Sequence, residues 1–241
     1  IDLRLGSSAE LKTLNKNHAE ILVQKNDETE LLRADKVLVA IGHAPTTDEL
    51  DLEKAGVAAD SDGFLPVDEK LQTWVKNIYA IGDIVSGPML AHRASHMGKV
   101  AAEVISGESA AFDNAAVPGV IFSDPEIAVV GLTELQAENS GYTVKSGSFP
   151  FKALGRALTL GEAAGMTKII SDTDSGTVLG VHIIGAHASD LIAEGALAVE
   201  TAAHIEDLLL TIHAHPTLPE GIGEAAEVVE NKAIHIFQPA S

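Results

Sequence analysis

Cysteine is absent from the 241-residue chain. No disulfide, zinc–thiolate site or thiol nucleophile can be built from these residues alone. Aromatic residues are scarce at 4%, while 46% of the chain is hydrophobic. A substantial core must then be aliphatic, made from Ala, Val, Leu and Ile. Basic residues are also few: 16 Lys and Arg stand against 35 Asp and Glu, a formal net charge of −19. No nucleic-acid partner is expected, because such binding needs a basic face. The acidity favours solubility but says little about fold. No apolar run reaches the roughly 18 residues of a helical membrane span, so no span is expected. A GxGxxG fingerprint and a nearby ribose-binding acid are both missing. No signal peptide is visible, and the first residue is Ile1, which suggests a fragment or a processed chain.

What is present centres on residues 213–220, His-Ala-His-Pro-Thr-Leu-Pro-Glu. Two prolines stiffen the path from His215 to Glu220, so the segment is neither ordinary helix nor central strand. A rigid loop that presents an imidazole and a carboxylate five residues apart suits an acid–base pair. The Glu would fix the ring's tautomer and orientation, and the His would move the proton. Two plainer readings stand beside it. His213 and His215 could be packed residues at the end of a buried strand. They could also be metal ligands, since residues two apart share a strand face. No third ligand stands at suitable spacing, so no metal is expected.

The rest of the chain reads as three segments, 1–45, 46–112 and 113–241. In the first, residues 20–23 and 29–34 read as strands around a turn at 26–28. The apolar run 36–41 ending at Gly42 reads as a parallel strand buried on both faces. In the second, a short helix is expected over 48–55 and a turn at 60–63. Residues 78–81 read as a buried strand delivering Gly82 and Asp83 to its carboxyl end, where ligands sit in open α/β sheets. A helix rich in small residues then runs from Leu90. Its amino end would offer unpaired N–H groups and partial positive charge to an electron-rich ligand atom.

In the third segment, 117–122, 127–131 and 142–150 read as strands. Residues 165–171 and 177–185 read as a hairpin turning at 172–176, where the acidic spacing does not suit calcium. Thr133 and Gln136 form a capping box that opens a helix. Residues 190–203 are amphipathic, 205–210 a short helix or turn, and 221–231 a final helix. Arg156 reads as a loop residue. Strands first and helices afterwards make an α+β layer.

The strand-and-glycine run at Gly42, the stretch 79–98 and the HAHPT loop with Glu220 together resemble the flavoprotein disulfide reductases. Within them they resemble the dihydrolipoyl dehydrogenases. The resemblance covers essentially the whole chain but only the carboxyl half of such an enzyme. It implies a mixed fold of α/β and α+β parts. Residues 1–45 would end a Rossmann-like NAD-binding domain, 46–112 would contact FAD in the central domain, and 113–241 would be an α+β interface domain with an antiparallel sheet. Asp83, with Gly82, would bind the FAD ribityl and phosphate region. Met89, Leu90, Ala91 and His92 would start the helix facing the flavin pyrimidine end, and Gly42 would lie near the nicotinamide nucleotide. His215 would be the base for the substrate thiol, and Glu220 its orienting carboxylate, both acting across a homodimer. The His215–Pro216 bond would be cis.

The implied reaction is oxidation of protein-bound dihydrolipoamide with NAD, on lipoyl domains of 2-oxo-acid dehydrogenase complexes, in bacterial cytoplasm or the mitochondrial matrix. The redox-active cysteine pair and the first FAD fingerprint belong to an amino half that must come from elsewhere. A glutathione-type reductase is the rival within the superfamily; a noncatalytic dimerising module is the rival outside it.

Overall fold

A computed structural model of the chain describes residues 1–238 and divides into two compact units, Ile1–Ala44 and Pro45–Ser241. The first unit is an antiparallel meander of β1 (Ser8–Leu14), β2 (Ala19–Lys25) and β3 (Glu28–Ala34). Asn26 takes a left-handed conformation, φ 55°, in the β2–β3 turn, which Asn tolerates well. β1 escaped the sequence reading, because its Glu, Lys and Thr dilute the apolar alternation. The strand expected at 36–41 does not form. A strand exists only through its ladder, and no described strand pairs with this segment. Leu38 and Ile41 are 90% and 93% exposed, the reverse of burial on both faces.

The second unit begins with largely extended chain. The helix expected over 48–55 shrinks to one 3-10 turn, Leu52–Ala55. Asp60 closes the following turn by accepting from the Asp62 and Phe64 backbone N–H groups, both at 2.9 Å. Residues 78–81 are not a buried parallel strand. They form a single antiparallel bridge, Gln72 with Tyr79, and lead into a 3-10 turn, Gly82–Ile84. The apolar letters were right for burial of Ala80 and wrong for strand pairing. α1 (Ala91–Ile105) follows as expected and packs Met97, Val100 and Ala101 against Leu65, Leu71 and Val85. Arg93, in the first turn of this helix, is buried and donates to the Ser86 and Pro88 carbonyls at 2.7 and 3.3 Å. It thereby ties down the loop that leads to α1.

The remaining chain builds a five-stranded antiparallel sheet in the order β4 (Gly119–Ile121), β5 (Glu126–Gly131), β8 (Val178–Gly185), β7 (Met166–Asp172), β6 (Val144–Pro150). The capping box at Thr133 and Gln136 is present and opens α2 (Glu134–Asn139). The segment around Arg156 is helical, α3 (Gly155–Leu160), not loop. α4 (Ala188–Glu200) packs on β5 and β8, while α6 (Glu220–Val229) packs on β6 and β7 and against α5 (Ile205–Leu210). Their apolar faces, including Leu191, Ile192, Ile222 and Ala226, join Val130, Phe149, Ile169 and Val181 of the sheet in one core. Glycine sets the approach of α6. A Cβ on Gly147 of β6 would sit 2.5 Å from the Val229 backbone nitrogen. The closeness of α6 to the sheet positions the candidate site, because Glu220 starts that helix.

Candidate active site

The loop 211–219 runs from the end of α5 to the start of α6. Leu218, 7% exposed, anchors it in the core. Thr217 holds its shape by donating its hydroxyl to the Ala214 carbonyl at 2.6 Å, and the His215–Pro216 bond is cis. α3 closes one side, with Gly155 leaving its position open to Pro216.

Glu220 accepts two hydrogen bonds on its two oxygens. His215 Nδ1 lies 2.8 Å from Oε1, and the Thr217 backbone N–H donates to Oε2 at 2.6 Å. Burial alone pushes the Glu220 carboxyl up. The Thr217 N–H, the His215 ring and the charge of His213 outweigh burial and hold it below its ordinary value. Glu220 is therefore an anion at neutral pH and can only accept. Nδ1 of His215 must then carry a proton, and in the neutral ring this leaves Nε2 with its lone pair. The His215 side chain is 77% exposed and Glu220 only 21%. The arrangement is an outward-facing imidazole with a free basic nitrogen, oriented from beneath by a carboxylate. Such a pair can take a proton from a group brought to it.

His213 sits differently. Its side chain is 10% exposed, and Nε2 lies 2.8 Å from Oε1 of Glu194 in α4. The Glu194 carboxylate first, with the Thr211 carbonyl and the Glu220 charge behind it, raises its pKa against the opposing effect of burial. Glu194 was missed in the sequence, yet a signal existed. It falls three residues after Leu191 and four before Ala198, both buried, so it is an acid on the apolar stripe of an amphipathic helix. No group of three or more His, Cys, Asp or Glu is arranged to hold a metal among the described residues.

The other candidate residues of the second unit lie at the approach to α1 and in its first turn. Gly82 is buried with φ 74°, in the left-handed region, and a Cβ there would meet Ala94 of α1 at 3.3 Å. Asp83 beside it is exposed. Leu90 is the N-cap of α1 in extended conformation with no side-chain cap, and the first turn carries no acid. Met89 and Leu90 are half-buried, while Ala91 and His92 are exposed. The His92 ring reaches the Pro118 carbonyl, with Nε2 at 2.8 Å. Gly42 lies in the other unit, in irregular chain with φ 120°, and nothing stands where its Cβ would be.

No helix among the described residues is long and apolar enough to cross a membrane. Two family descriptions match the chain: pyridine nucleotide-disulphide oxidoreductase over residues 1–98, and the dimerisation domain of the same family over residues 117–226. The dihydrolipoyl dehydrogenase of Haloferax volcanii is 49% identical over 237 residues, which are 98% of this chain and 50% of that protein. That of Geobacillus stearothermophilus is 50% identical over 217 residues, 90% of this chain and 46% of the relative. Among solved structures, LpdA of Mycobacterium tuberculosis superimposes with a TM-score of 0.81 at 28% identity, covering 91% of this chain and 48% of that one. The HOCl-induced flavoprotein disulfide reductase RclA of Escherichia coli gives 0.79 at 26%, covering 89% and 49%. The chain thus spans about half the length of the curated relatives it matches. With both descriptions in their order along the sequence and relatives near half identical across almost all of it, the chain belongs to the pyridine nucleotide-disulphide oxidoreductase family.

Proposed function

We propose that this chain is the carboxyl part of an FAD-dependent oxidoreductase that oxidises protein-bound dihydrolipoamide to lipoamide with NAD+ as acceptor. The observation that carries the reading is the His215–Glu220 pair at 2.8 Å, with its basic nitrogen facing outward. A dithiol becomes a good nucleophile only as its thiolate, and a thiol pKa is about 8.5. His215 Nε2 takes that proton, and Glu220 holds the ring and stabilises the cation that results. The sulfurs that exchange with the substrate lie outside these 241 residues, because the chain has no cysteine.

The central locality fits a flavin. The uncapped first turn of α1 offers N–H groups and partial positive charge, with no acid to oppose an electron-rich ring edge. Met89, Leu90, Ala91 and His92 would face that edge. Gly82 keeps the backbone free of a side chain beside Asp83, which would accept from ribityl hydroxyls. FAD, when bound, supplies the two-electron relay between dithiol and NAD+. Gly42 would lie near the nicotinamide nucleotide. In this reading residues 1–45 end the NAD-binding domain, 46–112 contact FAD and 113–241 form the interface domain. Two copies pair, and each His–Glu pair serves the partner's flavin. The lipoyl domain of a 2-oxo-acid dehydrogenase complex delivers the substrate, in bacterial cytoplasm or the mitochondrial matrix.

The test is His215→Gln in the flavin-loaded holoenzyme. Dihydrolipoamide turnover should fall about 10²–10⁴-fold, the usual worth of a positioned base. Reduction of a dye by NADH needs no such proton transfer and should persist. Equal loss of both activities at unchanged flavin content would overturn the assignment. The lack of cysteine favours a second reading for these residues on their own, a dimerising module without redox chemistry. Dihydrolipoamide oxidation by the isolated 241-residue chain would exclude it.

A further inference from the structure

Two carboxylates from two different helices reach one loop. Glu220 of α6 holds His215, and Glu194 of α4 holds His213. Only the first imidazole can meet a substrate, since His213 is almost enclosed. The second pair is nonetheless built with care. Gly223 leaves room for the His213 ring: a Cβ there would lie 2.9 Å from Nδ1 and 3.1 Å from Cε1. Gly223 follows Glu220 by three residues on α6, so the two share a helix face. The ring of His213 therefore rests against the turn of α6 that carries Glu220, while its far nitrogen is bound to α4. The cleft at this point, about 170 Å³, is lined by His213, Glu220 and Gly223 together with Thr211.

We propose that His213 and Glu194 are positioning residues for the acid–base pair, a strut between α4 and α6 that sets where Glu220 stands beneath His215. This rests on the function proposed above. The strut acts through Glu220 and never touches the substrate. A hydrogen bond to a charged group is stronger than one between neutral groups, and a buried one weakened on one side leaves its partner poorly satisfied. A loosened α4–α6 contact would be felt as displacement of the carboxylate. A shift of about 1 Å in a reacting group can cost on the order of 10²-fold.

The experiment is a double-mutant cycle in the flavin-loaded holoenzyme, with Glu194→Gln, Glu220→Gln and both together. We expect Glu194→Gln alone to lower dihydrolipoamide turnover about tenfold, short of that 1 Å limit, while NADH–dye reduction holds. Added to Glu220→Gln it should cost nothing more, because the group it positions is already changed. Losses that multiply on that background would overturn the proposal, and so would equal losses in both activities. Should Glu194→Gln fail to assemble with flavin, His213→Gln tests the same strut with the same expected outcomes. A Glu220→Gln enzyme at full dithiol rate would instead overturn the function proposed above. Full rate in Glu194→Gln beside a slow Glu220→Gln would overturn only the strut.

Discussion

Replacing Glu220 with Gln swaps one oxygen for an NH2 group and leaves the shape nearly unchanged. The structure decides which end goes where. The Thr217 N–H, 2.6 Å from Oε2, is a fixed backbone donor and needs an acceptor. The Gln oxygen must take that place, or two donors collide. Its NH2 group then faces His215 Nδ1, 2.8 Å away, which can no longer donate and must accept. The proton moves to Nε2, the nitrogen that should receive the substrate proton. Restoring the working tautomer means giving up that hydrogen bond and setting N–H against N–H. The bond that the variant lacks, from His215 Nδ1–H to the Glu220 carboxylate, is charge-assisted and worth about 1.5–3 kcal/mol. At about 1.4 kcal/mol per factor of ten, the loss in turnover is about 10- to 150-fold. That is less than the loss expected for His215→Gln, because the base remains and only its form is wrong. The assay pairs dihydrolipoamide-dependent NAD+ reduction with NADH–dye reduction at equal flavin content. Nitrogen-15 shifts of the imidazole report the tautomer directly. A variant that keeps full dithiol turnover would refute the reasoning, and so would one whose His215 still carries its proton on Nδ1.

Other consequences can be checked separately. Leu197, Leu210, Ile212 and Phe122 are between 65% and 96% exposed, and this segment matches a dimerisation domain. Sedimentation should therefore find a dimer at micromolar concentration, and a stable folded monomer would count against it. Gly147→Ala should destabilise the fold by about 1–3 kcal/mol, read as a lower denaturant midpoint, because the added methyl group forces α6 off β6. The Lys168 ammonium at 2.6 Å, with the Ser146 hydroxyl behind it, holds the Glu134 carboxyl below its ordinary value of 4.5. A carboxyl held low stabilises the fold above its unfolded pKa and ceases to as pH falls through the folded value. Glu134→Gln should thus be less stable than the parent at pH 7 and converge with it below about pH 4.5; a gap that persists in strong acid would contradict this.

The features legible in the sequence are those fixed by neighbours a few residues away. Thr133 and Gln136 meet across one helical turn, and a hairpin between 165 and 185 follows from two apolar runs and a polar turn. His215 and Glu220 are brought together by a short proline-stiffened loop, so their spacing alone suggested the contact. What failed depended on partners elsewhere. Residues 37–41, Val-Leu-Val-Ala-Ile, carry the letters of a buried strand, but pairing is a property of the neighbouring chain. Residues 78–85 bury Ala80 and Val85 without a ladder, since close packing against α1 asks for apolar side chains and not for strand hydrogen bonds. Glu194 meets His213 across 19 residues, a distance at which sequence periodicity says nothing.

The strand order of the large sheet has a consequence for synthesis on the ribosome. From β5 the chain passes over two positions to the far edge at β6, then returns through β7 and β8 to fill the gap. Among the described residues β6 pairs with no strand but β7, and β7 joins the rest only through β8. A nascent chain that ends at Phe149 therefore holds a small β4–β5 hairpin and a solitary ribbon with nothing to pair with. Only emergence of Gly185 lets the sheet close from both sides. The edges of β5 and β6 keep unpaired N–H and C=O groups until then, and in that interval a growing chain depends most on protection from its neighbours.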